Sequence, residues 1–387
     1  MKKQRIVAGF ATAVVAALAL TGCGSADDDA NGQTSQPNGT NGTGTDNGNG
    51  GGAATTPDGF PEGSLIGVAL PQQTSENWVL AEHLFNDGLA AAGFEAIVQF
   101  ANDGVNEQQN QIDAMIELGA RVIVVGAIDG AQLGPQLERA HNEGIVVIAY
   151  DRLLTQTVNV DLYVAFDNFQ VGVEQGNSLL AGLSERMEGQ EPWNIELIAG
   201  SADDANSIPF FEGAMSVLQP EIDAGRLVIP SGQSDFGQVA TDGWLAANAQ
   251  ARMDTIIAGF YNDGTPLHGI LSPNDTLGRA ALTAAASAGL ETPVVTGQDS
   301  EVESVRSILE GVQFSTIYKD TRALVAETIN QIVLAQQGQA LMSTTSLDNG
   351  SISVPTYFLE PIAVTQANAF EVFSGDPILE PVLDEFR

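Results

Sequence analysis

Short apolar runs rich in Val and Ile, each followed by an amphipathic stretch, recur from Ser64 onward, and this alternation limits the possible folds more than any other feature. Runs such as LIGVALP, AIVQFA, RVIVVGAI, VVIAYDR, LYVAFDN, IELIAG, RLVIPSG, GILSPN, PVVTGQD and FSTIYKD read as strands. The stretches between them carry helical spacing: in NEQQNQIDAMIELG, Ile112, Met115 and Ile116 fall at i, i+3 and i+4 and make one buried stripe. Strand and helix in turn predict an α/β chain with parallel sheets covered by helices. Beyond residue 62 the chain runs for roughly 325 residues, more than one core usually handles, so two lobes are expected.

The strand ends carry the chemistry. In GIVVIAYDRLL, residues 144–154, an apolar strand delivers Asp151 and Arg152 to its tip. Other runs finish in Asn274 and Asp275, Gln298 and Asp299, and Lys319 and Asp320. In open α/β sheets the ligand crevice lies outside the carboxyl ends of the strands, so these side chains are expected to converge on a cleft. A polar residue after a strand is also a common turn former or helix N-cap. Asp275 before TLGRAALTA and Asp320 before TRALVAETI read as caps and are set aside. Capping does not account for Asp151, Arg152 and Lys319.

Residues 1–22 have the form of a secretion signal: MKKQR, then IVAGFATAVVAALAL, then small residues before Cys23, a lipobox. The apolar run is shorter than the ~20 residues of a comfortable span, which favours cleavage. Cys23 is the only cysteine, so neither a disulfide within the chain nor a thiolate metal cluster can form, and lipidation is its expected fate. Residues 23–62, dominated by Gly, Asn, Thr and Asp, read as a lipidated Cys and a flexible tether. The formal charge of −35 becomes more negative once Lys2, Lys3 and Arg5 leave with the signal, a surface that repels nucleic acid.

No reaction is suggested. His83, His141 and His268 are scattered, and neither a metal cluster, a Ser-His-Asp set, a nucleophile elbow, a P-loop nor a dinucleotide fingerprint is evident, so no catalytic residue, metal or cofactor is assigned. A cleft of carboxylates, Asn, Lys, Arg and Trp suits a neutral polyhydroxylated ligand, since each hydroxyl both donates to a carboxylate and accepts from a cation or amide. Indole faces suit the apolar C–H faces of such a ring. Trp78 and Trp244 are the candidates for that role, with core packing as the alternative, and Trp193 reads as packing.

With these strings in view the chain resembles the monosaccharide-binding proteins of ABC importers, in the xylose-binding and multiple-sugar-binding branch. The likeness covers nearly all of residues 64–386 and rests on IAYDRLL, FDNFQVGVEQG, GSADDANS, LSPND, VTGQDSEVESVRSILEGVQFSTIYKDTR and NGSISVPTYFLEPIAV. It implies two doubly wound parallel-sheet lobes joined by a three-strand hinge, the type I periplasmic binding protein fold. Crossovers are expected near Asp167, Lys319 and Phe358. The N-terminal lobe is then 63–167 with 320–357, and the C-terminal lobe 168–319 with 358–387.

The resemblance also implies sugar contacts from Asp151, Arg152, Asp204, Asn206, Asn274, Asp299 and Lys319, with Trp78 and Trp244 on the two ring faces. Two positions that are often basic in this branch are Asn77 and Gln73 here, a change expected to alter which epimers are accepted. The implied protein is an extracytoplasmic, membrane-anchored lipoprotein and a monomer, taking a xylose-, glucose-, galactose- or arabinose-type sugar to an ABC permease. A sensor presenting its closed form to a histidine kinase or chemoreceptor, and a glycoside hydrolase built on Asp151, Asp204 and Asp299, are the alternatives.

Overall fold

The computed structural model describes residues 57–73 and 75–387; the signal, Cys23 and most of the tether lie outside them. In the first lobe β1 (Leu65–Leu70), α1 (Glu76–Ala91), β2 (Glu95–Phe100), α2 (Val105–Glu117), β3 (Val122–Val125), α3 (Gly134–Asn142), β4 (Val146–Tyr150) and β5 (Leu162–Phe166) alternate. The strands pair in parallel in the order β2-β1-β3-β4-β5. Both faces are buried. Ile66, Val68, Leu70, Val146, Ile148 and Tyr150 enter one core layer, while Ala69, Val147 and Ala149 enter the other with Ile112, Met115 and Ile116 of α2. Two-sided burial is why these strands read as unbroken apolar runs.

The second lobe repeats the pattern: α4 (Asn168–Arg186), β6 (Trp193–Leu197), α5 (Ser207–Asp223), β7 (Leu227–Val228), α6 (Phe236–Val239), α7 (Ala246–Phe260), β8 (Gly269–Leu271), α8 (Asp275–Ser287), β9 (Val294–Val295), α9 (Val302–Leu309) and β10 (Ser315–Tyr318). Its order is β7-β6-β8-β9, and β10 continues the sheet through Phe314 N–H to Val295 O and Ile317 N–H to Gly297 O. Both sheets therefore have the same doubly wound order, reversing between β1 and β3 and between β6 and β8.

The chain passes between lobes three times. Asp167 follows β5 and caps α4, accepting from Gln170 N–H. Asp320 follows β10 and caps α10 (Thr321–Gln336), which packs on α1, β4 and β5. The third passage lies between β12 (Ser353–Leu359), parallel to β5, and β13 (Ile362–Thr365), antiparallel to β10. It falls after the boundary at 357/358 expected from the sequence, because Phe358 and Leu359 still pair with Ala165 and Phe166. The remaining elements are α11 (Ala369–Val372) and α12 (Glu380–Asp384), which close a small core around Phe373.

Two features were not anticipated. Each sheet carries an antiparallel edge strand, β11 (Thr345–Asp348) beside β12 in the first and β13 in the second, so neither is purely parallel. The half-exposed, polar TSLD of β11 has no apolar run to announce it. The tether also ends before residue 62: Phe60 donates its N–H to Gln336 O, and its ring packs 6.3 Å from Phe94 against the first core. Phe60 is half-buried, so Phe60→Ala should cost about 1.5 kcal/mol, below the 3–5 kcal/mol of a fully buried ring. Urea unfolding should show a lower midpoint at unchanged slope.

Candidate functional site

One cavity between the lobes is lined from the carboxyl ends of both sheets. From the first lobe come Ser75, Asn77 and Trp78, at the start of α1, and Asp151 and Arg152, after β4. From the second come Asp204, Asn206, Phe210, Trp244, Asn274, Gln298, Asp299 and Lys319. All of the residues expected from the sequence meet here except Gln73. Gln73 is exposed and bonds elsewhere: its backbone N–H donates to Asn102 Oδ1 at 3.1 Å and its Oε1 accepts from Asn102 Nδ2. Phe210, Ser75 and Gln298 are additional walls.

Two ion pairs cross between the lobes inside the cavity. Arg152 Nε lies 3.0 Å from Asp204 Oδ2, with the two side chains 9% and 3% exposed. Lys319 Nζ lies 3.6 Å from Asp151 Oδ1 and 3.4 Å from Asp299 Oδ1, its own side chain 6% exposed. Arg152 also donates Nη1–H to Ala127 O and places its guanidinium 5.3 Å from the Trp78 ring centroid. A neutral hydrogen bond bridges the lobes as well: Asn206 Nδ2 donates to Asp151 O at 2.8 Å, and the same carbonyl accepts from Tyr163 Oη–H within the first lobe, also at 2.8 Å.

The aromatic walls are set by close packing. Trp78 meets Tyr150 edge-on at 6.1 Å, and Trp244 donates Nε1–H to Asp204 Oδ2 at 3.1 Å. Trp244 lies in the 3₁₀ turn Asp242–Trp244 ahead of α7 rather than opening that helix. A side chain on Gly200 would put its Cβ 2.2 Å from the Trp244 ring, so only glycine admits the indole there. At Gly126 a Cβ would lie 3.1 Å from the Trp78 ring, a tight contact that the indole could relieve only by shifting a few tenths of an ångström. Asp151 (φ +59°), Trp244 (φ +56°) and Asp299 (φ +90°) are non-glycine residues in left-handed backbone, each at a cost of order 1–3 kcal/mol that clusters at functional positions.

Caps and ligand-facing residues divide differently from the sequence expectation. Asn274 is the N-cap of α8, its Oδ1 accepting from Leu277 N–H, and it also lines the cavity with Nδ2 available to donate. Asp275, expected as the cap, is fully buried inside the second lobe instead. Burial raises the Asp204 and Asp299 carboxyls above their ordinary value, opposed by Arg152 for the first and Lys319 for the second. Desolvation pulls Lys319 down, but Asp151 and Asp299 together hold it above its ordinary value, so it is cationic. Gln298 Oε1 is buried without a hydrogen-bond donor, and Asp299 Oδ1 is buried facing the Lys319 ammonium at 3.4 Å. An acceptor like the Gln298 oxygen calls for a partner.

Among the described residues no cluster of metal-ligating side chains occurs, and no helix is long and apolar enough to cross a membrane. Two lobes of matching topology, closed on a buried polar cavity with indole walls, define a two-lobe receptor for a small polar solute. The family model for the periplasmic binding protein domain matches residues 66–340. The chain is 43% identical over 310 residues to the multiple sugar-binding periplasmic receptor ChvE of Rhizobium radiobacter, covering 78% of this chain and 87% of that one. It is 31% identical over 304 residues to the D-xylose-binding periplasmic protein of Escherichia coli, covering 78% and 87%. An ABC transporter solute-binding protein from Clostridium phytofermentans with bound β-D-glucose superposes with a TM-score of 0.77 at 38% identity, covering 81% of this chain and 98% of that one. The chain therefore belongs to the periplasmic binding protein family, with the type I fold, in its multiple-sugar- and xylose-binding branch, whose members are non-enzymatic solute receptors.

A further contact outside the cavity joins the lobes: Glu76 Oε2, in the first turn of α1, accepts from Val302 N–H, the first residue of α9, at 3.1 Å. A carboxylate at a helix N-terminus is favoured by the unpaired amides and the helix dipole. Because it bridges lobes without lining the cavity, Glu76→Ala should weaken every ligand by the same factor, about 2- to 5-fold, as expected of an exposed charge at a helix end. Titration calorimetry with several ligands checks this; a change in their ranking would place Glu76 in ligand recognition instead.

Proposed function

We propose that the protein is a lipid-anchored extracytoplasmic receptor that encloses one monosaccharide, of the xylose, glucose, galactose or arabinose type, and delivers it to an ABC permease. The observation that carries this reading is the composition of the cavity: three carboxylates, two cations, side-chain amides and two indoles around one cleft. With all five charged groups ionised the lining carries a single net negative charge, which suits a neutral ligand better than an ionic one. Hydroxyls donate to Asp151, Asp204 and Asp299 and accept from Arg152, Lys319 and Asn274, while Trp78 and Trp244 cover apolar ring faces. The ligands named for the relatives support a sugar of this size. Anchoring rests on the lipobox ahead of Cys23.

Each cavity carboxylate lies against a cation or an indole N–H, which suits hydrogen bonding to hydroxyls better than proton transfer to a glycosidic oxygen. Micromolar affinity, about −8 kcal/mol, spread over the ~12 heavy atoms of a hexose is ~0.7 kcal/mol per atom, within reach of a small ligand. A thermal-shift screen with D-xylose, D-glucose, D-galactose and L-arabinose should raise the melting temperature with at least one of them. Trp244→Ala should then weaken that sugar by about 2 kcal/mol, roughly 30-fold, and the titrated sugar should be recovered intact. No shift with any sugar, or turnover of an aryl glycoside, would reject the proposal.

Affinity should also depend on pH with a defined sign. Hydroxyl donors favour the ionised carboxylates of Asp204 and Asp299, so sugar binding lowers their pKa values. Affinity is then full at neutral pH and declines on acidification, starting above the ordinary carboxylate value of 3.8 because burial raises both groups. Their effect on folding has the opposite sign: a carboxyl raised in the folded state adds stability below its unfolded pKa and loses it as pH rises through the folded value. Weaker binding in mild acid should therefore appear without any unfolding caused by these two groups, seen by calorimetry and near-UV circular dichroism on the same samples.

A further inference from the structure

We propose that Asp275, which lines no part of the cavity, is a positioning residue that sets where Asp299 meets the sugar. The segment that presents Asp299 is bent twice: Asp299 and Ser300 both have left-handed backbone, at φ +90° and +52°. Neither residue is glycine, so this conformation persists only if the surroundings impose it. All three amides of the segment are gripped. Asp299 N–H donates to Ile317 O at 2.9 Å. Ser300 N–H donates to Thr316 Oγ1 at 3.1 Å, and that hydroxyl donates onward to Asp275 Oδ2 at 3.0 Å. Glu301 N–H donates directly to Asp275 Oδ2 at 2.9 Å.

Two of the three grips thus end on a single carboxylate. Asp275 Oδ1 is held in turn by Gln313 Nε2 at 2.8 Å, and the side chain has no exposure to solvent. Its approach depends on Gly297, where a Cβ would lie 2.0 Å from Asp275 Oδ1. The next acid, Glu301, is taken up elsewhere, by Arg279 and by Thr276 Oγ1. A buried carboxylate beside Glu301 and Asp299 is an expensive way to hold a loop that any neutral acceptor could cap. What it supplies is a rigid acceptor serving two successive amides, Glu301 N–H directly and Ser300 N–H through Thr316, next to the cavity-lining Asn274.

The inference rests on the sugar-receptor reading, and the test separates the two. Asp275→Ala, Asp299→Ala and the double variant are titrated by calorimetry with D-glucose, D-galactose, D-xylose and L-arabinose, alongside amide hydrogen exchange of residues 299–301. For Asp275→Ala the expected result is unchanged stoichiometry, at least tenfold weaker binding, a flattened ranking among the sugars, and no further loss in the double variant relative to Asp299→Ala. Asp275→Asn, which keeps an acceptor oxygen for Glu301 N–H, should recover part of the affinity. If Asp275→Ala does not fold, Thr316→Val removes the relay to Ser300 and should weaken binding several-fold. Affinity within twofold of the parent in the folded variant, or losses that add in the double variant, would overturn the proposal, as would a lower stoichiometry at unchanged affinity. If the parent binds none of the sugars the receptor reading fails by itself, and exchange decides this one: at least tenfold faster exchange at 299–301 supports it, and unchanged exchange overturns it.

Discussion

Everything at the site depends on charges that are buried only when the lobes meet. Arg152 and Lys319 reach across the cleft to Asp204 and Asp151, and all four side chains are nearly hidden from water. Removing ions from water costs several kcal/mol each, and one ion pair rarely repays it. The lobes therefore gain little from closing on these pairs alone. Gln298 Oε1, buried without a donor, adds to that cost. A ligand with several hydroxyls supplies the missing donors and acceptors at once, so it shifts the balance toward the closed form.

The repeat of sheet order in the two lobes explains how so many polar groups converge. Each sheet is a stiff platform buried on both faces. Asp151 and Lys319 follow their strands immediately, leaving the side chains little freedom to lose on binding. Four of the five described non-glycine residues in left-handed backbone, Asp151, Trp244, Asp299 and Ser300, lie at or beside the cavity. That strain is held by the lobe cores rather than by the ligand, so the groups are oriented before the sugar arrives.

Where burial on both faces left an apolar signature, the sequence was legible. VVIAY and LYVAF read as strands because every residue in them is buried. The charged tips Asp151, Arg152 and Lys319 stood out because a charge at the end of such a run has no structural use. Strand β11 was not legible, since TSLD is half-exposed and its pairing to β12 is set by register alone. Asn274 and Asp275 could not be sorted: either side chain can cap a helix, and only the fold decides that Asn274 caps while Asp275 turns inward. Gln73 was misplaced for a similar reason, because nothing in QQTSENW indicates where the loop turns into the cavity.

The two shells of acids in the second lobe do different work for a physical reason. Asp299 and Asp204 face cations and the cleft, where a hydroxyl finds an ionised acceptor. Asp275, one layer behind, has neutral donors on both oxygens and no cation of its own, and desolvation together with Glu301 pushes its carboxyl well above the ordinary range. In the ligand shell, cations make charged acceptors tolerable. In the supporting shell, geometry matters more than charge, because the two amides it holds fix the bend that aims Asp299. Selectivity among sugars that differ at one hydroxyl then depends on how firmly that bend is held, and its determinants extend behind the surface the ligand touches.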